Sequence, residues 1–201
     1  MGTCQDSIGT CSRLIEAAGK LFAERGFTAV GVRDIAGAAG VPLGTMNYHF
    51  QGKDGLYRET LRRACERTSP QPEQIESLLR LPPEEGLRHY LRSFRSRYGL
   101  NRGWEIALIY RECNAPGPFF NEIMPEYFAR KRNLLARLIG AMNGAPPDST
   151  ETQFAAVTLM AQVNMFVINR HLIHQIAPEL EQLAATNPDW LEDRLLRPFQ
   201  K

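Results

Sequence analysis

"VPLGTMNYHFQGKDGL", running from Val41 to Leu56, sets Tyr48, His49 and Phe50 side by side just ahead of Gly52-Lys53. A core helix alternates apolar and solvated faces; this turn instead gathers hydrogen-bonding and aromatic side chains before a lysine. The stretch upstream fits a helix over Val32–Ala39, with Ile35 and Ala36 facing inward and Gly40 ending it. After Val41-Pro42 a short helix is expected from about Leu43 to His49. Two short helices joined by a glycine-containing turn form a helix-turn-helix pattern. Before them, Leu14, Ala17, Ala18, Leu21 and Phe22 recur at helical spacing, predicting an amphipathic helix over Thr10–Arg25 that Gly26 closes. Gly19 inside that helix costs roughly 1 kcal/mol relative to alanine, a cost that close packing against a neighbour would explain. A fourth helix, Lys53 to about Arg67, puts Leu56, Tyr57, Thr60, Leu61 and Ala64 on one side, and SPQP at 69–72 breaks it.

Further breaks fall at LPPEEG (81–86), NAPGP (114–118), NGAPPD (143–148) and TNPD (186–189). Helical patterns lie between them at about 73–80, 84–98, 103–112, 119–142, 149–176 and 189–199. No stretch sustains period-two alternation, so the expected fold is all-α with no sheet. Residues 1–67 form a three-helix helix-turn-helix domain and residues 68–201 a second helical domain on this reading. At 201 residues, 43% hydrophobic and 23% charged, the chain can bury a substantial core. The net charge of +2 lies entirely in residues 1–67, which carry nine Lys/Arg against seven Asp/Glu, whereas the remainder carries fifteen of each.

The four cysteines, Cys4, Cys11, Cys65 and Cys113, lie far apart, as expected of reduced thiols and not of a disulfide frame or zinc site. The longest nearly apolar run, Phe154–Ile168, has 15 residues interrupted by Thr158, Gln162 and Asn164, too short and too polar to span a bilayer. The N-terminus lacks the pattern of a signal peptide, so a cytoplasmic protein without membrane partner is expected. No Ser-His-Asp order, glycine-rich phosphate loop or HExxH is recognisable, so no enzyme, no cofactor and no metal is expected. His171 and His174 stand three apart, but no carboxylate or cysteine lies close in sequence to complete a metal set.

A helix enters the major groove when its exposed face carries short hydrogen-bonding or apolar groups, and phosphate contacts hold it in register. The 41–56 stretch supplies both. Gly44 and Thr45 allow close approach, with the Thr45 hydroxyl available to a phosphate. Asn47 offers an amide to a base edge, and Tyr48 and His49 offer a hydroxyl and a ring nitrogen to phosphates. Lys53 adds charge at a helix N-terminus, itself a phosphate site. Arg33 is placed to touch the flanking backbone. Phe50 is assigned to the core, against Phe22 and Ile35.

Residues 10–61, "TCSRLIEAAGKLFAERGFTAVGVRDIAGAAGVPLGTMNYHFQGKDGLYRETL", resemble the DNA-binding domain of the TetR family of transcriptional regulators. The resemblance rests on A-x-x-L-F-A-x-x-G-F, then D-I-A-x-x-A-G-V, then G-T-x-x-Y-H-F-x-x-K-x-x-L. It implies DNA contacts from Arg33, Leu43, Gly44, Thr45, Asn47, Tyr48, His49 and Lys53. Three positions depart from the family pattern. Gly31 replaces a threonine that caps the second helix, Pro42 replaces a common serine, and Asn47 replaces an aromatic residue. "YRECNAPGPFFNEIMPEYFARKRNLLARLIGAM", from Tyr110, is similar to the CecR-type regulatory domain, which implies effector binding and dimerisation.

Trp104, Tyr110, Phe119 and Phe120, with Arg111 or Glu112 as a polar handle, are candidates for an effector pocket and equally for ordinary core packing. In the 149–176 helix, Thr158 and Gln162 lie on a polar stripe assigned to the effector side. Phe154, Val157, Ala161 and Ile168 lie on another, assigned to a partner subunit. The expectation is a homodimeric regulator, a repressor, that reads a palindromic double-stranded DNA operator and is released by a small-molecule effector. The alternatives are a helical enzyme or carrier with a vestigial helix-turn-helix, or an activator without effector.

Overall fold

The computed structural model describes residues 4–98 and 103–200, and among these there are helices and turns but no strand. The helices are α1 (Cys4–Ala29), α2 (Val32–Ala39), α3 (Gly44–Phe50), α4 (Lys53–Thr68), α5 (Pro72–Arg80), α6 (Pro83–Tyr98), α7 (Trp104–Asn114) and α8 (Phe120–Asn143). They continue as α9 (Thr150–Val163), a π-helical segment (Asn164–Ile168), α10 (Arg170–Ile176), α11 (Pro178–Thr186) and α12 (Pro188–Leu196), closed by a 3-10 turn at Arg197–Phe199.

The chain forms two compact units: residues 1–69 with 102–127, and residues 70–101 with 128–201. Residues 102–127, assigned from sequence to the second domain, pack in the first unit. An apolar helix face does not encode which of two cores it docks on. In the first unit α1 packs against α2, α4 and α7, and α4 against α3 and α7. Leu14, Ala18, Phe22, Ile35, Leu56, Leu61 and Leu108 are fully buried there. Phe22 meets Tyr57 edge-on at 4.7 Å between ring centroids, a favoured aromatic geometry.

Gly19 is explained by Trp104. A Cβ at residue 19 would lie 2.2 Å from the Trp104 ring, so only a glycine lets α7 approach α1 this closely. Helix α1 runs past the expected end, but Gly26 (φ 81, ψ 169) interrupts its helical geometry.

In the second unit α12 packs on both α6 and α9, α11 packs on α10 and α12, and α5 packs on α6. Glu192 is 1% exposed on α12. Its carboxylate accepts from Arg92 Nε at 3.1 Å on each oxygen, with Arg88 and Arg95 each 3.9 Å away. A buried carboxylate persists when met in this way.

Two expectations fail here. The 149–176 helix is interrupted by five π-helical residues, whose i+5 bond runs from the Asn169 N–H to the Asn164 carbonyl at 2.9 Å. The added residue turns the downstream face, so Ile168 is 6% exposed while Phe154 is 72% exposed. Helix α11 lies between the expected helices at 149–176 and 189–199, where none was expected, and Pro178 opens it at a first-turn position.

Candidate nucleic-acid interface

Helix α2 begins without the threonine cap of its family pattern. Asp34, three residues into the helix, instead accepts the Gly31 N–H at 2.9 Å, satisfying an orphan donor from the opposite direction. Gly40 adopts the left-handed conformation (φ 62, ψ 41) and ends α2, and the Val41 N–H returns to the Ala36 carbonyl at 3.1 Å. Pro42 precedes α3, and its carbonyl accepts the Thr45 N–H at 3.0 Å.

Helix α3 has seven residues and only one buried side chain, Met46, at 0% exposure. The anchor is therefore Met46; Phe50, which the sequence assigned to that role, is only half-buried and its ring neighbour is His49. Leu43 is 47% and Tyr48 85% exposed, and Gly44 and Asn47 are exposed beside them. Thr45 and His49 are half-buried, and the His49 ring stands edge-on to Tyr48 at 4.9 Å. Arg33 is exposed near the start of α2. The exposed members of the set thus leave α3 and the start of α2 without burying a polar group.

The turn into α4 requires glycine. Gln51 is left-handed (φ 59) and Gly52 follows at φ 109, a conformation that strains any side chain. Lys53 then opens α4 with its Nζ 4.3 Å from the centroid of the Phe27 ring, which holds the cation by its π face. Sequence reading missed Phe27 because the contact joins the end of α1 to the start of α4.

The effector candidates divide between the units. Trp104, Tyr110, Arg111, Glu112, Phe119 and Phe120 belong to the first, and Thr158 and Gln162 to the second. Trp104 is 8% exposed and donates its Nε1–H to Glu16 at 2.7 Å. Arg111 donates to the Glu24 carbonyl at 3.3 Å, and Phe119 lies under the Arg58 guanidinium at 4.6 Å. Tyr110 and Phe120 are half-buried. On α9, Thr158 is half-buried, and Gln162 Oε1 is buried with no hydrogen-bond partner among the described residues. Among the interface candidates, Phe154, Val157 and Ala161 are exposed and Met165 extends their face in place of Ile168. His174 has an acidic neighbour that its local sequence does not reveal, Glu181 at 3.5 Å. Desolvation pushes the Glu16 carboxyl up, but hydrogen bonds from Arg67 and Trp104 outweigh it and hold it below its usual range.

A bundle of helices that fully buries only Met46 of α3 and turns Asn47 and Tyr48 outward has the arrangement of a helix-turn-helix protein. The model of bacterial regulatory proteins of the tetR family matches residues 14–60, and that of the C-terminal domain of the HTH-type transcriptional dual regulator CecR matches residues 83–188. The chain belongs to the TetR family, with a C-terminal domain of the CecR type. It is 30% identical over 143 residues to the probable HTH-type transcriptional regulator YttP of Bacillus subtilis, covering 66% of this chain and 64% of that protein. It is 46% identical over 54 residues to the HTH-type transcriptional repressor KstR2 of Rhodococcus jostii, 27% of this chain and 26% of that one. The matches thus span just under two thirds and about a quarter of those relatives. The crystal structure of AibR in complex with isovaleryl coenzyme A and operator DNA has the same fold, with a TM-score of 0.62 at 17% identity, covering 79% of this chain and 85% of that one. No helix among the described residues is long and apolar enough to cross a membrane.

Proposed function

We propose that this protein is a homodimeric transcriptional repressor that binds a palindromic operator and is released from it by a small molecule taken up in its C-terminal region. The observation that carries the reading is the outward face of α3, with Asn47 exposed and Tyr48 at 85% exposure around a fully buried Met46. Asn47 would read a base edge. Thr45, Tyr48, His49 and Lys53, with Arg33 and the Gly44 backbone, would hold the phosphates, and Leu43 would supply apolar contact. Two such helices related by a two-fold axis would meet half-sites about 34–36 Å apart or a multiple of that. Support for pairing comes from Phe154, Val157, Ala161 and Met165, an apolar face left open on the α9 side. Support for repression and for an effector comes from KstR2, named a repressor, and from AibR, crystallised with a coenzyme A ester and its operator. The effector acts only through its different affinity for two conformers.

The test is an electrophoretic mobility shift with DNA from upstream of the protein's own gene, in the presence of competitor DNA. A specific shift is expected, with one dimer per site by sedimentation. Indifference to every duplex, or a monomer at micromolar concentration, refutes the reading.

A further inference from the structure

The second unit encloses a small cavity of about 50 Å³, open to solvent on one side. Its wall brings together Arg95 of α6, Phe166 and Val167 of the π-helical segment, Ile173 of α10, Ala184 of α11 and Leu191 of α12, with Arg170, Glu181 and Ala185 completing it. None of the effector candidates read from the sequence lines it. Four of the six main lining side chains are large and apolar, and three residues are charged.

The two arginines differ in how they are engaged. Arg170 is hydrogen-bonded to Glu181, whose other oxygen lies 3.5 Å from His174. That carboxylate is therefore already met from two sides. Arg95 is met, among the described residues, by Glu192 alone, at 3.9 Å. Glu192 is itself held by Arg92 at 3.1 Å on both oxygens, so it leaves most of the Arg95 fork without a close acceptor. Two arginines against one glutamate leave the lining at +1. A π-helical segment is a costly geometry that recurs at functional sites. Here it sets two side chains on the cavity wall.

We propose that this cavity binds a short-chain monocarboxylic acid, with its carboxylate on Arg95 and its hydrocarbon against Phe166, Val167, Ile173 and Leu191. This rests on the reading that the C-terminal region takes up an effector, and it names the effector's class. A planar, bidentate acceptor suits a guanidinium fork. A single negative charge neutralises the lining, whereas a phosphate dianion would overshoot it and leave the apolar wall unmatched. At roughly 10–15 Å³ for each water-sized group, the cavity takes about three to five such groups. Acetate and propionate fit inside, and the end of a longer chain such as butyrate leaves through the open side.

Isothermal titration of the full chain with acetate, butyrate, hexanoate and the neutral butyramide tests this. Butyrate is expected to bind once per chain, and butyramide roughly tenfold or more weaker, the worth of a charge-assisted hydrogen bond. Arg95→Gln should weaken butyrate by a similar factor and Arg95→Lys by less, both with a thermal midpoint near that of the parent. Ala184→Val narrows the cavity without touching its charge and should also weaken butyrate. It decides the matter if Arg95→Gln does not fold. No binding of any acid to the parent, equal binding of butyrate and butyramide, or butyrate affinity unchanged in Arg95→Gln and Ala184→Val would each overturn the proposal. A mobility shift run alongside separates the two readings. Butyrate that binds without changing DNA affinity leaves this site standing and refutes effector release.

Discussion

Replacing Met46 and Tyr48 separately by alanine should split the two roles of α3, staying attached and reading. A seven-residue helix is too short to persist alone; isolated helices are marginal below about 12–15 residues. Met46 is its one buried side chain, at 0% exposure. Truncating a fully buried methionine costs about 2–5 kcal/mol, a large share of a domain stability of about 5–15 kcal/mol. Part of that loss should appear as local undocking of α3, and DNA affinity then falls with the docked fraction. Tyr48 is 85% exposed, so Tyr48→Ala should change stability by no more than about 0.5 kcal/mol. If its hydroxyl bonds a phosphate at about 1 kcal/mol, DNA affinity falls about fivefold. Urea unfolding followed by tryptophan fluorescence, with fluorescence anisotropy on labelled upstream DNA, reads both quantities. The reasoning fails if Tyr48→Ala destabilises by more than about 1 kcal/mol, or if Met46→Ala leaves stability and DNA binding untouched.

Lys53→Ala should weaken binding to all sequences and flatten the plot of log affinity against log salt by about 0.9; an unchanged slope removes Lys53 from the phosphate contacts. Phe154→Asp places a charge on the most exposed apolar side chain of the α9 face and should yield monomers in sedimentation. A dimer that survives it pairs elsewhere. Gly19→Ala would gain about 1 kcal/mol of helix propensity but meets the Trp104 ring, where overpacking costs about 1–3 kcal/mol. The displaced ring also loses its bond to Glu16, so the urea midpoint should fall; a rise would mean that Trp104 moves freely. Glu16 is held lower in the folded protein than in the unfolded chain. Its contribution is therefore complete above the ordinary carboxylate range and is lost as pH falls through the depressed folded value. Unfolding midpoints between neutral and acid pH should show Glu16→Gln losing less stability over that window than the parent, and parallel curves would contradict the assignment.

The turn around Val41–Leu56 was legible because its chemistry is local. Gly40 ends α2 and Gly52 opens α4, both through backbone conformations that only glycine adopts readily. Exposed Asn47 and Tyr48 follow from their place on so short a helix. The anchor was not legible, since two turns of helix put Met46 and Phe50, four residues apart, on one face and offer no periodicity with which to rank them. Phe27 under Lys53 and Trp104 against Gly19 are contacts between distant parts of the chain. Gly19 did carry a signal, a glycine in a helix interior, but not the identity of its neighbour. The π-helical segment had no signal at all. "NMFVI" contains neither proline nor glycine, and its effect was to turn Ile168 away from the stripe that Phe154 begins.

The placement of α7 constrains how a signal could reach α3. Arg67 of α4 donates to Glu16 of α1 and, at 2.9 Å, to Glu105 of α7, and Glu16 also receives the Trp104 N–H. Arg111 of α7 reaches the Glu24 carbonyl of α1. Tyr57 of α4 donates to Glu112, 1% exposed on α7, whose other oxygen accepts the Gly117 N–H at 3.1 Å. Burial, and then this bond, push the Tyr57 hydroxyl far above its usual titration range, so it stays a donor. Leaving such a buried group without its partner costs about 1–3 kcal/mol, several times thermal energy. Helices α1, α4 and α7 are therefore joined by bonds that do not slip independently, and α3, with Met46 buried, packs on α4. An effector that shifts α7 would then carry the reading helix with it as one body. It need not rearrange α3 itself, and on the proposed function operator release would be a change in where two intact heads stand.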